Sequence, residues 1–195
     1  MDRFNIYLAG VGGQGIGLLS EMILRAADHA GHFVKGVDTH GLAQRGGRVV
    51  SQIRIGNEIH SPLIRTHQAD LVVALERHEA LRAAADYATI GGTLVYYDTV
   101  WQPLDVRLGR TAEVSADAIQ DWCRQCGVTI KAVYEPGLSD VRMQNTALLA
   151  HIARHKLIPD VDADHFLRAM ADLMAGPMLD HNKALFIEIG QRKHS

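Results

Sequence analysis

Cysteine is almost missing from this chain of 195 residues: Cys123 and Cys126 are the only two. Two thiols cannot ligate an iron–sulfur cluster, which draws on about four. Both fall in "DAIQDWCRQCG", where the CxxC closes a helix at Gly127 instead of opening one. Ordinary reduced helix thiols are therefore expected, with a thioredoxin-like redox pair as the alternative. A zinc site would need further thiolates or well-spaced histidines. An excess of one charge is missing as well: 20 basic residues face 22 acidic ones, a formal net charge of −2. No global field then draws the chain to nucleic acid or an anionic membrane. No run of about 18 apolar residues occurs, so no membrane span is expected. The opening "MDRFNIYLAGVGG" enters a strand directly, without the basic stretch or cleavage site of a leader. A cytoplasmic protein with a solvated, mixed-sign surface is the expectation. Repeats, linkers and low-complexity tracts are absent too, so residues 1–195 are expected to form one domain burying roughly 70% of the unfolded chain's surface.

What is present is an alternation of strands and helices. Phe4 to Val11 reads as a short apolar strand, broken by "GVGGQG" at 10–15. Ile16, Leu19, Ile23 and Ala26/Ala27 then form a helical stripe that stops near Gly31. "HFVKGVD" predicts a second strand ending at Asp38, and "RVVSQIRI" alternates with the period of a strand. "GN" at 56–57 followed by "EIHS" predicts a two-residue hairpin, hence an antiparallel pair added to a parallel sheet. "DLVVAL" and "TLVYYD" are apolar runs of the kind found in central strands covered on both faces. "ERHEALRAAADYATIGG" between them reads as a helix with a glycine stop. A helix at 115–126, a strand in "VTIKAVYE", helices near 140–156 and 162–173, and a terminal helix in "DHNKALFIEIGQRK" complete the reading. The order defines an α/β fold: a Rossmann-like, doubly wound, mostly parallel sheet with an appended antiparallel hairpin and C-terminal helices.

In such a sheet, ligands gather outside the carboxyl ends of the strands. Gly10, Gly12 and Gly15 satisfy GxGxxG between a strand and a helix, with Gly13 and Gln14 inside the loop. Backbone N–H groups of such a loop can approach an anion at the helix N-terminus. A tight turn needing glycine for steric reasons alone is the plainer alternative. The second candidate is the turn "THGLAQRGG". Arg45 offers a planar fork for carboxylate or phosphate, and His40 brings an imidazole, a side chain suited to donating to an anion or to titrating near neutrality. Gly46 and Gly47 permit close approach. Thr39 and Gln44 complete a string denser than a plain connection requires, though each charge alone would suit a solvated surface turn. Glu76 and Asp98 end strands, but as lone carboxylates they read as helix-cap and turn residues. His151 and His155 in "HIARH" lack a zincin carboxylate and read as a solvated helix face. No catalytic residue stands out, because no Ser/His/Asp or Cys/His arrangement is visible. No metal ligand set stands out either.

"AGVGGQGIGLLSEMILRAA" and "DTHGLAQRGGRVVSQIRIG" together resemble the gamma-type domain of the thiamine diphosphate-dependent 2-oxoacid:ferredoxin oxidoreductases. The resemblance is densest over residues 4–56, and "HNKALFIEIG" is similar to the family's closing helix. It is strongest toward the members that use indolepyruvate or another aryl pyruvate. The resemblance implies an accessory subunit, not catalytic alone, in a cytoplasmic heterooligomer. A larger alpha subunit would carry thiamine diphosphate, Mg²⁺ and [4Fe-4S] clusters, none of them bound by this chain. The implied reaction is oxidative decarboxylation to an acyl-coenzyme A or acid, with electrons passing to ferredoxin or another acceptor. Gly10, Gly12, Gly13, Gln14 and Gly15 would engage coenzyme A, or the string Thr39, His40, Gln44, Arg45, Gly46 and Gly47 would pack on the partner's cofactor cleft. Asp38 departs from the pattern, since relatives often carry glutamate there. A stand-alone NAD- or FAD-binding oxidoreductase, resting on GxGxxG and Asp38, is the alternative, and a nucleotide-sensing regulator a third.

Overall fold

A computed structural model describes residues 3–40, 47–57, 59–101, 109, 112–138 and 140–192, with only the backbone of His40 included. The chain opens with β1 (Phe4–Val11), α1 (Ile16–His29), β2 (Val34–His40) and β3 (Arg48–Ile55). β4 (Ala69–Ala74), α2 (Arg77–Tyr87) and β5 (Ala88–Tyr97) follow. Then come α3 (Ala116–Cys126), β6 (Thr129–Val133), a 3-10 turn (Val141–Met143), α4 (Gln144–Arg154), α5 (Ala163–Leu173) and α6 (Gly176–Gln191). One mixed sheet orders its strands β2-β3-β1-β4-β5-β6. β1, β4, β5 and β6 pair in parallel, while β3 runs antiparallel to both β1 and β2. The expected α/β architecture is present, with the antiparallel pair at one edge.

Alternating side chains explain the two layers. Ile6 and Leu8 of β1 face a core shared with α1, α4, α5 and α6, whereas Tyr7 and Ala9 face a second core with α2 and α3. Leu71/Val73 and Val72/Ala74 of β4 divide the same way, which is why its sequence is apolar throughout. The stripe on α1 is buried at Ile16, Leu19, Met22, Ile23, Ala26 and Ala27. Local signals set the helix ends. Ser115 caps α3 through the Ala118 N–H at 3.1 Å, and Gly127 ends it in the left-handed region at φ 67°. Asp162 and His165 form a reciprocal cap on α5. Among the described residues no helix is long and apolar enough to cross a membrane.

Three expectations are corrected. No strand lies between Ile55 and Ala69 among the described residues; the antiparallel pair is β2–β3, joined in sequence through residues 41–47. The register runs from Val34↔Ile55 to His40↔Val49, so β2 continues two residues past Asp38 and the connection is too long to read as a tight hairpin. Gly56 instead ends the ladder, its N–H donating to Phe33 O at 3.0 Å. The glycine pair at 91–92 does not stop α2, which ends at Tyr87 with Ala88 already extended. Gly91, at φ 81°, lies within a register shift between β4 and β5, after the β-branched pair Thr89–Ile90 has left the helix. His151 does not sit on a solvated face. It lies 3.7 Å from the buried carboxylate of Glu135, which Arg192 grips at 2.7 and 2.9 Å. Burial there pulls the imidazole's pKa below its ordinary value, the Glu135 charge opposing.

Candidate functional site

β2 is antiparallel to β3 and β3 to β1, so β1 and β2 end at the same edge of the sheet. There the two sequence motifs meet: the Gly12 N–H donates to Gly47 O at 2.8 Å. Thr39 is exposed in the last turn of ladder, paired with Val50. Gln44, Arg45 and Gly46 lie outside the described residues, as does the His40 side chain.

The glycine loop is held from three directions. Gln14 turns inward, 2% exposed, accepting from the Val11 N–H at 2.8 Å and donating to Leu75 O at 3.0 Å. Its side-chain amide is thus engaged by the scaffold. The Gln14 N–H itself returns to Val11 O at 3.1 Å. From the opposite side, Asn145 on α4 donates its amide to Gln14 O at 3.3 Å and Gly15 O at 3.1 Å. Turning that amide over would set oxygen against oxygen, so the donor assignment follows from the two carbonyls. Its own Oδ1 is buried without a hydrogen-bond partner, a condition that costs about 1–3 kcal/mol.

Glycine is required for different reasons along the loop. Gly15 caps α1 at φ 83°, and a Cβ there would meet Asn145 Nδ2 at 2.7 Å. A Cβ on Gly10 would press on Ile16 at 2.9 Å, a packing demand. Gly13, at φ 103°, faces open space. Among the described residues neither Gly13 nor Gly15 donates its N–H to another backbone group. The first turn of α1 carries no acidic residue and no side-chain cap. Its free donors and positive dipole end therefore remain available to an anion.

The flanking carboxylates are largely scaffold. Glu76 is fully buried and caps α2 through the Glu79 N–H. Asp98 pairs with Arg77 at 2.5 Å. Glu79 is buried between Arg48 at 3.0 Å and Arg82 at 3.1 Å. Burial raises the pKa of both Glu76 and Glu79, partly offset by backbone N–H donors at Glu76 and by Arg82 and Arg48 at Glu79. Arg48 follows the polar turn directly in sequence, but nothing in the sequence singles out Glu79 or Asn145. Asn145 lies 130 residues from the Gly15 carbonyl it holds, and no local pattern announces such a pairing. Elsewhere, the Cys123 thiol is buried and pushed up to about 11, which suits a packing residue. No cluster of potential metal ligands occurs among the described residues.

A pocket of about 370 Å³ lies between α1, α4 and α6, lined by Leu18, Met22, Met143, Thr146, Met178 and Asn182 among others. Thr146 donates to Asn182 Oδ1, and Asn182 to Met178 O at 2.8 Å.

Fold and site together define a doubly wound α/β domain with a helix N-terminus that carries no side-chain cap, at the edge where Gly47 meets the loop after the first strand. The model of the pyruvate ferredoxin/flavodoxin oxidoreductase family matches residues 5–190, and the chain belongs to that family. Its sequence is similar to the indolepyruvate oxidoreductase subunit IorB of Archaeoglobus fulgidus, 51% identical over 82 residues. That match spans 42% of this chain and 40% of the relative. The Pyrococcus horikoshii subunit of the same name is 32% identical over 120 residues, 62% of this chain and 59% of that one. The matches thus span about two fifths to three fifths of these curated relatives. In fold the chain is similar to the pyruvate oxidoreductase subunit PORC of Thermotoga maritima, with TM-score 0.64, 18% identity and coverage of 98% and 97%. It is also similar to the 2-oxoglutarate:ferredoxin oxidoreductase of Magnetococcus marinus, solved with 2-oxoglutarate, coenzyme A and succinyl-CoA bound. There the TM-score is 0.68 at 16% identity, over 97% of this chain and 30% of that one.

Proposed function

We propose that the chain is the accessory subunit of a thiamine diphosphate-dependent 2-oxoacid:ferredoxin oxidoreductase acting on indolepyruvate or another aryl pyruvate. A larger alpha subunit carries thiamine diphosphate, Mg²⁺ and the [4Fe-4S] clusters, and this chain completes the shared site. The observation that carries the reading is the joining of two chemically dense motifs by Gly12 N–H and Gly47 O, beside helix donors that no described group of the chain satisfies. The names of the similar subunits support the substrate class. Coenzyme A, when bound, supplies the acyl-accepting thiol and brings phosphates. The N–H groups of Gly13, Gly15 and the first turn of α1 are the donors suited to hold them. Arg45 would pair an anion of the same site.

The dinucleotide-binding alternative is disfavoured by topology. In that fold the strand bearing the ribose-binding acid neighbours β1, whereas here β3 intervenes, setting β2 about 9–10 Å from β1 instead of about 5 Å. Asp38 also already accepts from Ser51 Oγ. The test is co-expression with a large subunit of the same family, followed by assay of 2-oxoacid-dependent viologen reduction. The chain alone is expected to be silent and the complex active. Turnover by the isolated chain, or tight NAD(H) binding to it, would overturn the reading.

A further inference from the structure

Resting on the reading of the glycine loop as an anion site, we propose that Asn145 is its positioning residue, setting the direction in which the Gly15 and Ile16 N–H groups point. The derivation is geometric. In a planar trans peptide the carbonyl of one residue and the N–H of the next point in opposite directions, and no described peptide bond is cis. Asn145 Nδ2 draws the carbonyls of Gln14 and Gly15 toward α4, at 3.3 and 3.1 Å. The N–H groups of Gly15 and Ile16 are thereby turned away from α4. They are the donors that open α1.

Of the other restraints on the loop, none reaches the Gln14–Gly15 plane. Gln14 anchors Val11 and Leu75 through its side chain, and Gly12 is tied to Gly47. The helix's own first bond, from Leu19 N–H to Gly15 O at 3.1 Å, shares only the second carbonyl. Without Asn145 the Gln14–Gly15 peptide, which leads into Gly15 at φ 83°, has no described bond to its oxygen. It is free to rotate as a unit.

Burial argues that the role exceeds packing. Asn145 is 1% exposed, yet its Oδ1 has no partner, so an apolar side chain would fill the same space without a buried unsatisfied oxygen. What an apolar side chain cannot do is hold two carbonyls at once. The neighbouring Thr146 provides the contrast: its hydroxyl bonds Asn182 and touches the helical layer rather than the loop.

The test uses the full chain labelled with ¹⁵N-glycine and titrated with inorganic pyrophosphate, following the Gly13 and Gly15 amide signals. Saturable shifts are expected in the parent. Asn145→Ala is expected to weaken pyrophosphate binding about tenfold, and Asn145→Ser, which keeps one donor, about threefold. Thr146→Val should bind within about twofold of the parent although it loses a buried bond, and so separates stability from positioning. If Asn145→Ala does not fold, Asn145→Ser decides. Binding within about twofold of the parent in the folded Asn145 variants makes Asn145 a packing residue and overturns the proposal. Absence of any saturable glycine shift in the parent overturns the anion-loop reading itself, a failure visible before any variant is made.

Discussion

Gln14 and Asn145 are both carboxamides beside the same loop, and they do different things. Gln14 satisfies donor and acceptor within the scaffold, whereas Asn145 leaves its oxygen unsatisfied to hold two loop carbonyls. GxGxxG was legible because glycine at a strand–helix junction has few explanations, and Gly13 and Gly15 do occupy positive φ. Which N–H groups stay free was not legible, since Gly12 donates to a carbonyl 35 residues away in sequence (47 minus 12). Arg45 is the residue on which the proposed shared site depends most. A charge-assisted hydrogen bond to an anion is worth about 1.5–3 kcal/mol, so its loss corresponds to roughly 10- to 150-fold in catalysis. Arg45→Ala and Arg45→Lys are expected to fold and bind the partner, yet lower kcat/KM for oxoacid or coenzyme A at least about tenfold, because lysine lacks the planar fork. Steady-state kinetics of the reconstituted complex check this. Values within about threefold of the parent would return the arginine to an ordinary surface turn.

At the level of elements, α2 shows how a helix can be started by a fully buried acid. Glu76 accepts from the Glu79 N–H, so its cap is strong, while burial raises its pKa. An acid whose folded-state pKa is raised binds its proton more tightly in the folded chain than in the unfolded one. Stability therefore falls as pH rises from the ordinary carboxyl range, about 4.3, through the raised folded value. Glu79 shifts in the same direction and adds to the slope. Glu76→Gln keeps the capping oxygen and removes the ionisation. Urea unfolding between pH 4 and 8 is expected to show the variant gaining on the parent as pH rises. A difference independent of pH would mean that Glu76 does not titrate in this range. The helix itself was readable from "RHEALRAAADY", but its end was not, because the glycines that looked like a stop serve a register shift in β5.

Across the whole molecule, the C-terminal helices close one face of the sheet, and a single arginine ties the last of them to the strand edge. Arg192, just past α6, grips Glu135 just past β6, with His151 of α4 beside them. The Glu135 side chain is only 6% exposed, so losing its cation leaves a buried charge poorly matched. Arg192 is nearly half exposed, which limits the effect. Arg192→Ala is expected to cost about 1–3 kcal/mol and lower the thermal midpoint by about 3–10 °C. Calorimetry would read it, and an unchanged midpoint would mean that α6 is held by its apolar face alone, through Phe186 and Ile189.

Periodicity and punctuation are local properties, and they determined the element order apart from the strand expected after Gly56, the two-sided covering of the central strands and the positions of both motifs. The burial of both faces of β4 follows from a run with no polar alternation, whatever its neighbours are. Pairing partners are not local. Whether "RVVSQIRI" lies beside β1 or beyond the edge depends on which neighbour buries Ile53 and Ile55, and the folded chain sets it between β1 and β2. That choice brings Gly47 onto Gly12, moves Asp38 away from β1, and leaves the loop to be oriented by a residue from α4. A motif can be read from spacing; the direction of its donors is decided only by what packs against it.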